Sequence, residues 1–314
     1  MAFPINVTYE HIFHPVSMAL VLGFYWQHFK DGIMKKLLPF LLFLFPICLW
    51  AQQPINVITF NIRYNNPGDS LNAWPLRKDK VASQILFHEA TIVGVQEALL
   101  GQLIDLSERL PQYKWLGVGR DDGKKRGEYS AIFYDTTRLK VLQSNTFWLS
   151  EQPDVAGIKG WDAALPRVVT WAQFKDKKTG VVFFHFNTHF DHMGKIARRE
   201  SARLLLQKVA SIAGKSKAII TGDFNAQPTD EPILVIMDSS NPLHLKDSKS
   251  QSLQPHYGPE GTFTAFGPKE IYTAPIDFIF IKGNIKVLQH ATLSESWEGR
   301  FSSDHFPVLA KVVL

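Results

Sequence analysis

The sequence predicts an α/β fold in which two packed β-sheets are flanked by helices, and three observations support this class. Short runs rich in Val, Ile, Phe and Thr recur along the chain and are bounded by Gly, Pro, Asn or Asp, as strands are. Several of these runs are apolar throughout, which is expected of strands that are covered on both faces. Helical patterns alternate with the early runs, which favours a layered α/β sandwich.

Eight segments have the composition of strands, and two segments between them have helical periodicity. The predicted strands are residues 55–62, 91–95, 129–134, 168–174, 181–187, 218–221, 276–281 and 306–313. Residues 78–89 carry pairs of apolar side chains four positions apart, which is the spacing of one helix face. Residues 195–213 repeat this spacing and stop before Gly214, a residue type that often follows a helix. The sequence therefore predicts βα units mixed with hairpins.

Residues 34–51 have the pattern of a secretory signal peptide. Met34 and two lysines precede an apolar run that ends at the small residue Ala51. The run is shorter than the roughly 20 residues that a membrane-spanning helix needs. A buried core helix is a weaker interpretation, because Pro39 and Pro46 interrupt the run. We therefore predict cleavage after about Ala51, a secreted or periplasmic location and no stable membrane anchor.

The domain organisation follows from this interpretation. Residues 1–33 are either an extension upstream of the true start or part of a longer leader, and residues 52–314 form one domain because no linker divides them. Cys48, the only cysteine, lies inside the apolar run, so the mature chain has no thiol or disulfide chemistry. The net charge of +5 is spread along the chain, which permits an anionic substrate without marking a nucleic-acid surface. We expect a monomer.

Polar side chains cluster where the predicted strands begin or end. They are Asn61, Glu97, His189, Asp223, Asn225, Asp304 and His305. Residues at strand ends in an α/β core meet at one rim, which is where such folds keep their sites. Asp277 lies inside an apolar strand, where a carboxylate needs a partner, and a histidine is a natural one. The sequence therefore predicts a single polar site at this rim.

The residue types at this rim favour a hard divalent cation. Carboxylates and amides without cysteine suit Mg²⁺, Mn²⁺ or Ca²⁺ better than a structural zinc. Mg²⁺ takes only one or two protein carboxylates, so Glu97 with help from Asn61 or Asp304 would suffice. Taken alone, Glu97 could be an ordinary turn residue and Asp223 part of a capping turn. Their joint occurrence at strand ends is what favours a site.

Six motifs in this order resemble the endonuclease/exonuclease/phosphatase superfamily, and they span nearly all of the mature chain. The motifs are Thr59-Phe60-Asn61-Ile62-Arg63, Gly94-Val95-Gln96-Glu97, Asn187-Thr188-His189, Gly222-Asp223-Phe224-Asn225, Ile276-Asp277-Phe278-Ile279 and Ser303-Asp304-His305-Phe306-Pro307-Val308. The resemblance implies a four-layered α/β sandwich with two mixed sheets flanked by helices. It also implies an enzyme, a divalent-metal-dependent hydrolase of phosphate esters.

The resemblance assigns a first group of residues to the metal and the attacking water. Glu97 resembles the principal metal ligand, with Asn61 and Asp304 close to the ion or its waters. Asp223 resembles the residue that orients or deprotonates the water. Asn225 is implied to hold the scissile phosphate. Mg²⁺ is the expected ion, with Mn²⁺ and Ca²⁺ as alternatives.

A second group is implied to bind and stabilise the phosphate. His189 resembles a phosphate-binding histidine, and Glu128 occupies the place of a carboxylate that supports such a histidine in related enzymes. His305, paired with Asp277, is implied to stabilise the transition state or to transfer a proton. Arg167 stands at the position of a phosphate-contacting arginine in some members.

The substrate class has several candidates at this stage. The motifs at residues 61–65, 117–123, 161–167 and 187–192 resemble an exported bacterial branch that is more similar to the deadenylase-like exonucleases than to the lipid phosphatases. We therefore favour a nuclease, either a 3′–5′ exonuclease or endonuclease-like, that acts outside the cytoplasm. The alternatives are a phosphatase of sugar or inositol phosphates, a phospholipid phosphodiesterase and a non-catalytic module that binds phosphate ligands. The loop of residues 120–126 carries four cations that could contact an anionic substrate, and a solvated loop is an equal alternative.

Overall fold

The computed structural model describes residues 53–268 and 271–314. The predicted signal peptide at residues 34–51 and the extension at residues 1–33 lie outside the described residues. Within the described ranges, no helix combines the length and the apolar character needed to cross a membrane.

Fourteen strands and four α-helices make up the described part of the chain. The strands are β1 (Ile55–Asn61), β2 (Ile92–Ala98), β3 (Tyr113–Leu116), β4 (Tyr129–Asp135), β5 (Leu139–Trp148), β6 (Val168–Asp176), β7 (Val182–His189), β8 (Ala218–Asp223), β9 (Lys246–Asp247), β10 (Asp277–Lys282), β11 (Lys286–Thr292), β12 (Ser296–Trp297), β13 (Arg300–Phe301) and β14 (Val308–Val313). The helices are α1 (Lys78–Phe87), α2 (Leu100–Arg109), α3 (Lys195–Ala213) and α4 (Glu231–Met237). Two short 3₁₀ helices, Pro67–Asn72 and Trp74–Leu76, precede α1.

Two six-stranded mixed sheets form the centre of the fold. The first has the order β11-β14-β1-β2-β4-β3, and only the β1–β2 pair in it is parallel. The second has the order β5-β6-β7-β8-β10-β9, and only the β7–β8 pair in it is parallel. Strands β12 and β13 form a separate hairpin.

Three hydrophobic clusters show that the layers number four. The cluster between the sheets joins side chains of β1, such as Val57, to side chains of the second sheet, such as Ile219. A second cluster packs α1 and α2 on the outer face of the first sheet, with Ile85 among its members. The third packs α3 and α4 on the outer face of the second sheet, with Leu205 and Ile233. The predicted four-layered α/β sandwich is confirmed.

The strand pairing brings the predicted site residues to one edge of the sandwich. Because β1 and β2 are parallel, Asn61 and Glu97 lie at the same end of the first sheet. In the second sheet, the register places Asp223 between His189 of β7 and Asp277 of β10. This row of three polar residues faces the two from the first sheet, and Asn61 is hydrogen-bonded to Asp223 across the gap, so the strand ends of both sheets meet at this edge.

The space between the sheets becomes polar just below the site. Gln96 Nε2 donates to Asn187 Oδ1 at 2.7 Å, and Thr221 Oγ1 donates to the same oxygen at 3.0 Å. A Cβ on Gly94 would lie 2.1 Å from Thr221 Oγ1, so this contact requires glycine. Burial lowers the pKa of His185, next to Thr221, to about 3, and the ring is therefore neutral. The network ties the sheets together beneath the catalytic strand ends.

Candidate active site

Glu97 is presented by an irregularity in strand β2. The register with β4 shifts between Val95 and Ala98, which is the signature of a β-bulge, and Glu97 itself has φ of 61°. Bulges re-aim side chains next to sites, and a non-glycine residue at positive φ stores strain that the surrounding contacts must hold. Here Glu97 Oε2 accepts from the backbone N–H of Tyr64 at 3.1 Å. This contact helps to hold the strained residue so that its carboxylate lines the cavity.

Asn61 links the two halves of the site. Its Nδ2 donates to Glu97 Oε1 at 3.1 Å and to Asp223 Oδ2 at 3.0 Å. Its Oδ1 accepts from the backbone N–H of Arg63 at 3.0 Å, so the amide is oriented by its own loop. The amide nitrogen therefore bridges carboxylates of the first and second sheets. The predicted contact of Asn61 with a metal ion stays a prediction, and in this arrangement the side chain acts as the bridge.

Asp304 lies beside Glu97 and is partly balanced by Arg63. Arg63 Nε is 3.8 Å from Asp304 Oδ2, while the same guanidinium makes two hydrogen bonds to Asp69, at 3.0 and 3.1 Å. Burial raises the pKa of Asp304, and the charge of Glu97 raises it further. Arg63 has φ of 56°, so the strain seen at Glu97 recurs here.

His305 is held by Asp277 as the sequence predicted. His305 Nδ1 donates to Asp277 Oδ2 at 2.9 Å, and Thr262 Oγ1 donates to the same oxygen at 2.6 Å. Burial disfavours the charged ring, but the charges of Asp277 and Asp223 outweigh it and hold the pKa of His305 well above its usual value. The side chain is therefore a cation whose Nε2 faces the cavity.

Asp223 occupies the centre of the site. Its Oδ2 lies 3.5 Å from His189 Nε2 and 3.8 Å from His305 Nε2, and its Oδ1 accepts from the backbone N–H of Asn225 at 2.9 Å. Burial raises the pKa of Asp223 to about 7, with a further contribution from the charge of Asp277. A carboxylate with such a pKa can accept a proton near neutral pH.

His189 and Asn225 form the opposite wall. Asn225 Nδ2 donates to His189 Nε2 at 3.0 Å and to the carbonyl of Phe190 at 3.0 Å. Burial and the charge of Arg167 lower the pKa of His189 well below its usual value, so the ring is neutral. Since Nε2 accepts from Asn225, the hydrogen-bond network places the ring proton on Nδ1. Asn225 is the third site residue with positive φ, at 47°.

Glu128 differs from its predicted role. The expected hydrogen bond to His189 is not formed, and among the described residues His189 Nδ1 is buried without a partner. Instead, both oxygens of Glu128 accept from Arg120, at 2.6 Å from Nη1 and 2.9 Å from Nη2. The guanidinium competes successfully because it offers two parallel charged donors to the carboxylate. This corrects the sequence-based assignment of Glu128 as the support of His189.

Arg167 lies at the cavity, where the sequence placed it, and Asp191 fixes it there. Arg167 Nε is 3.5 Å from Asp191 Oδ2, and that carboxylate also accepts from the backbone N–H groups of Ala164 at 3.1 Å and Leu165 at 3.2 Å. A second carboxylate, Asp162, accepts from the first turn of α3. These two acids therefore shape the segment of residues 161–167 that ends on Arg167.

Asp162 is hydrogen-bonded directly to the backbone of the first turn of α3. Asp162 Oδ1 accepts from Ala197 N at 2.6 Å, and Asp162 Oδ2 accepts from Ile196 N at 3.2 Å. The N-terminal N–H groups of a helix lack partners within the helix, and a carboxylate there also suits the helix dipole. Asp162 caps a helix that begins more than thirty residues later in the chain.

Most of these groups line one cavity of about 470 Å³, whereas Asn61, Asp277 and Asp191 contact lining residues without lining it themselves. The polar side of the cavity carries Glu97, Glu128, Asp223, Asp304, His189 and His305, and its apolar side carries Leu165, Phe263, Tyr272 and Ile276. The sequence did not indicate the aromatic residues or Thr262, because they come from the long polar stretch 239–268 and its continuation. Their contacts to the site are made only through the tertiary fold, so no local pattern could reveal them.

The donor set fits a hard divalent cation. Carboxylate oxygens of Glu97 and Asp304 face the same cavity and repel each other, which a cation between them would relieve. A second group, Asp223, Asp277 and His305, has ligand atoms that all lie within 4.8 Å of one another. In that group, however, His305 Nδ1 and Asp277 Oδ2 are already hydrogen-bonded to each other. Glu97 and Asp304 therefore stay the predicted ligands.

The arrangement can bind phosphate and move a proton. A bound divalent cation would neutralise charge on phosphoryl oxygens. Asp223 is placed to take a proton from an attacking water. His305, charged and oriented by Asp277, can donate where negative charge develops. Asn225 adds an N–H donor at the opposite wall.

Comparison with known proteins gives the family. Residues 58–305 match the endonuclease/exonuclease/phosphatase family. The crystal structure of an endonuclease/exonuclease/phosphatase from Bacteroides vulgatus is 44% identical in sequence, covers 83% of this chain and 98% of that one, and superposes with a TM-score of 0.78. The structure of a mannosyl-6-phosphatase from Bacteroides thetaiotaomicron is 39% identical, covers 83% of this chain and 100% of that one, and also has a TM-score of 0.78.

A curated relative comes from a virus. An uncharacterised protein of Acanthamoeba polyphaga mimivirus is 29% identical over 173 residues, which are 52% of this chain and 63% of the viral protein. The chain thus spans less than two thirds of the length of this relative. The family match nevertheless covers every motif from β1 to His305. The chain therefore belongs to the endonuclease/exonuclease/phosphatase family, whose members are metal-dependent hydrolases of phosphate esters.

Proposed function

We propose that the protein is a metal-dependent phosphomonoesterase that removes the phosphate group from a phosphorylated sugar. The observation that carries this proposal is the shape of the site, a cavity of about 470 Å³ with phosphate-binding groups on one side and an apolar wall on the other. This volume lies within the range of small-molecule sites, roughly 300–1,000 Å³. A sugar phosphate offers one charged end and a ring with apolar C–H faces, which matches the two sides.

The charges around the cavity also favour a small substrate. Arg63 is paired with Asp69, and Arg167 is paired with Asp191, so the charge of each arginine is already balanced by a carboxylate. A polynucleotide requires several unpaired cations to bind phosphates on either side of the scissile one. The arginines that line this cavity do not provide such a track.

The apolar wall gives the sugar a surface to contact. The rings of Phe263 and Tyr272 lie 5.9 Å apart with an interplanar angle of 31°, and together they extend the wall away from His305. Tyr272 is partly exposed at the mouth of the cavity. The relative that is 39% identical over its full length carries the name mannosyl-6-phosphatase, and this name supports a hexose phosphate as the substrate class.

The experiment is a substrate panel with the full-length protein and Mg²⁺. Mannose 6-phosphate, glucose 6-phosphate and inositol phosphates are compared with RNA, DNA and sphingomyelin, with and without EDTA. We expect phosphate release from the hexose phosphates that EDTA abolishes. Release of nucleotides from RNA or DNA, with no phosphate released from any sugar phosphate, would overturn the proposal. No metal-dependent release from any substrate would favour the non-catalytic module instead.

A variant sharpens the substrate class. Tyr272→Ala should raise KM for the preferred hexose phosphate about five- to tenfold, because one aromatic contact of about 1 kcal/mol is lost. The control is Tyr257→Ala, since Tyr257 is an exposed tyrosine outside this cavity. Equal KM values for Tyr272→Ala and the wild type would contradict the proposal that the apolar wall binds the sugar.

A nuclease stays the second candidate because of one feature. Lys124, Lys125 and Arg126 are exposed on the loop that ends at Glu128, and Glu128 lines the cavity. These cations could meet phosphates of a longer substrate. If they do, hydrolysis of RNA should weaken steeply with salt, whereas hydrolysis of a hexose phosphate should depend on salt much less.

We also propose that the protein acts outside the cytoplasm. The support is the basic, apolar and small-residue pattern of residues 34–51. N-terminal sequencing of protein recovered from the periplasm or medium should give a start near Gln52. A start within residues 1–33 on the exported protein would contradict this cleavage.

A further inference from the structure

Arg120 and Glu128 form an ion pair within one tightly wound loop, in which Arg120 is buried and Glu128 is half-buried. Their side chains make two hydrogen bonds, and in addition the backbone N–H of Arg120 donates to the carbonyl of Glu128 at 3.1 Å. Trp148 Nε1 donates to the carbonyl of Arg120 at 2.8 Å, which fixes the loop to strand β5. A Cβ on Gly119 would lie 2.1 Å from the carbonyl oxygen of Arg126. The loop therefore has little freedom to release either charge.

The two partners face different surroundings. Glu128 lines the catalytic cavity together with Arg167 and His189, whereas Arg120 lies behind it and does not line the cavity. Arg167 Nη1 and His189 Nδ1 are buried donors without a partner among the described residues. A Glu128 carboxylate freed from Arg120 would have these two donors to bind. Arg120 thus decides whether the charge of Glu128 is balanced behind the cavity or added to it.

This geometry points to a specificity-determining role for Arg120, which we infer here and which rests on the proposed phosphomonoesterase function. With Arg120 in place, Glu128 contributes no net charge to the cavity. Without it, an unbalanced negative charge would stand in the cavity wall near the phosphate. The phosphate of a monoester carries about −1.5 to −2 at neutral pH, whereas a diester carries a single negative charge. Repulsion grows with substrate charge, so Arg120 favours monoesters over diesters.

The test is a double-variant cycle on the full-length protein. The variants are Arg120→Gln, Glu128→Gln and the combination of both, with Arg203→Gln as the control. Arg203 is a matched control because it is an arginine paired with a glutamate, Glu200 at 2.7 Å, and it does not line the cavity. The measured quantity is the ratio of kcat/KM for p-nitrophenyl phosphate to kcat/KM for bis-p-nitrophenyl phosphate, with Mg²⁺.

We expect Arg120→Gln to lower this ratio about tenfold or more, because the added repulsion acts more strongly on the dianion. Glu128→Gln should keep or raise the ratio, and the combined variant should return it close to the wild-type value. Arg203→Gln should leave the ratio unchanged. A purely structural pair would lower both activities together in Arg120→Gln and would leave their ratio unchanged, even if removing Glu128 as well restored the folded protein.

Loss of one partner of a buried pair can prevent folding. If Arg120→Gln does not fold, the combined variant and Glu128→Gln decide, because neither leaves an unpaired buried carboxylate. A ratio that falls in Glu128→Gln, or an unchanged ratio in folded Arg120→Gln, would overturn the role of Arg120. A wild-type protein that hydrolyses only the diester would instead overturn the phosphomonoesterase proposal itself.

Discussion

His189 and His305 lie in the same cavity and are almost equally buried, yet they have opposite charge states. Their exposed fractions are 6% and 5%. Burial lowers the pKa of His189, and the charge of Arg167 lowers it further. Burial also disfavours the charged form of His305, but the carboxylates of Asp277 and Asp223 raise its pKa well above the usual value. One ring is a neutral acceptor and the other is a charged donor.

The difference shows that neighbouring charges, rather than depth, assign the roles in this site. Desolvation acts on both rings in the same direction, so it cannot separate them. Pairs of titratable groups whose environments push their pKa values apart are typical of acid and base assignments in enzymes. Asp223 lies between the two rings, 3.5 Å from one and 3.8 Å from the other. A change at Asp223 should therefore alter the surroundings of both histidines.

The largest effect is expected from Asp223→Asn. The variant removes the group placed to accept a proton from water and one of the two anions that charge His305. Turnover should fall about a thousandfold, within the range of general acid–base contributions, while folding is retained. Single-turnover rates and the melting temperature would be measured together. Near-normal turnover in folded Asp223→Asn protein would refute the central role of this carboxylate.

A smaller loss is expected from Asp277→Asn. This change removes the hydrogen-bonded anion of His305 but leaves Asp223 in place, so the ring loses part of its positive charge and its fixed orientation. Turnover should fall about a hundredfold. Thr262→Val is the matched comparison, since it keeps the Asp277 anion and removes the hydrogen bond to the same oxygen, together with the bonds that Thr262 Oγ1 accepts from Ile276 N and Asp277 N, and it should cost less activity. If both variants lose the same activity, orientation rather than charge is what Asp277 provides.

The smallest effect is expected for Asp191, the partner of Arg167, whose charge acts on His189. It is an effect on the free energy of unfolding. Hydrogen bonds from Gly194, Ala164 and Met193, with the charge of Arg167, outweigh burial and lower the pKa of Asp191 to about 2. In the unfolded chain the value is about 4, so the stabilisation is complete above pH 4 and is lost as the pH falls from about 4 to about 2. This group contributes about 2 kcal/mol to the free energy of unfolding.

The measurement is the free energy of unfolding of the wild type and of Asp191→Asn between pH 2 and pH 7. The variant should be less stable near neutral pH and should lose less on acidification. The exposed Asp154→Asn is the control and should follow the wild type throughout. A variant that matches the wild type at pH 7 would show that Asp191 does not stabilise the segment before Arg167.

The sequence predicted the central strands and the site because both depend on local patterns. Apolar runs that end in Asn61, Glu97 or Asp223 mark buried parallel strands and their polar ends. Helix α3 begins and ends where its apolar stripe does. In the two six-stranded sheets, the strands that escaped prediction are β3, β5, β9 and β11, which are the four edges; the short hairpin of β12 and β13 also escaped prediction. An edge strand is partly solvated, so it lacks a continuous apolar run.

The errors within the site have a different cause. Glu128 was assigned to His189 by position in a motif, but Arg120, eight residues earlier, offers a better partner. Whether Glu128 accepts from Arg120 or from His189 depends on their positions in the folded protein, which sequence spacing does not give. Thr262 was missed for the same reason, since a threonine in a polar loop has no feature that points to Asp277. The strand ends were enough to predict where the site lies. Which side chains pair within it depends on tertiary contacts that the sequence does not show.

The cap that Asp162 places on helix α3 has a dynamic consequence. When the first turn of α3 opens, the amides of Ile196 and Ala197 lose their partner, and the segment that carries Arg167 loses one of its attachments. Any ligand that binds Arg167 in its native position therefore favours the closed turn. Hydrogen exchange at the start of a surface helix would thus slow on substrate binding, at amides that contact no substrate.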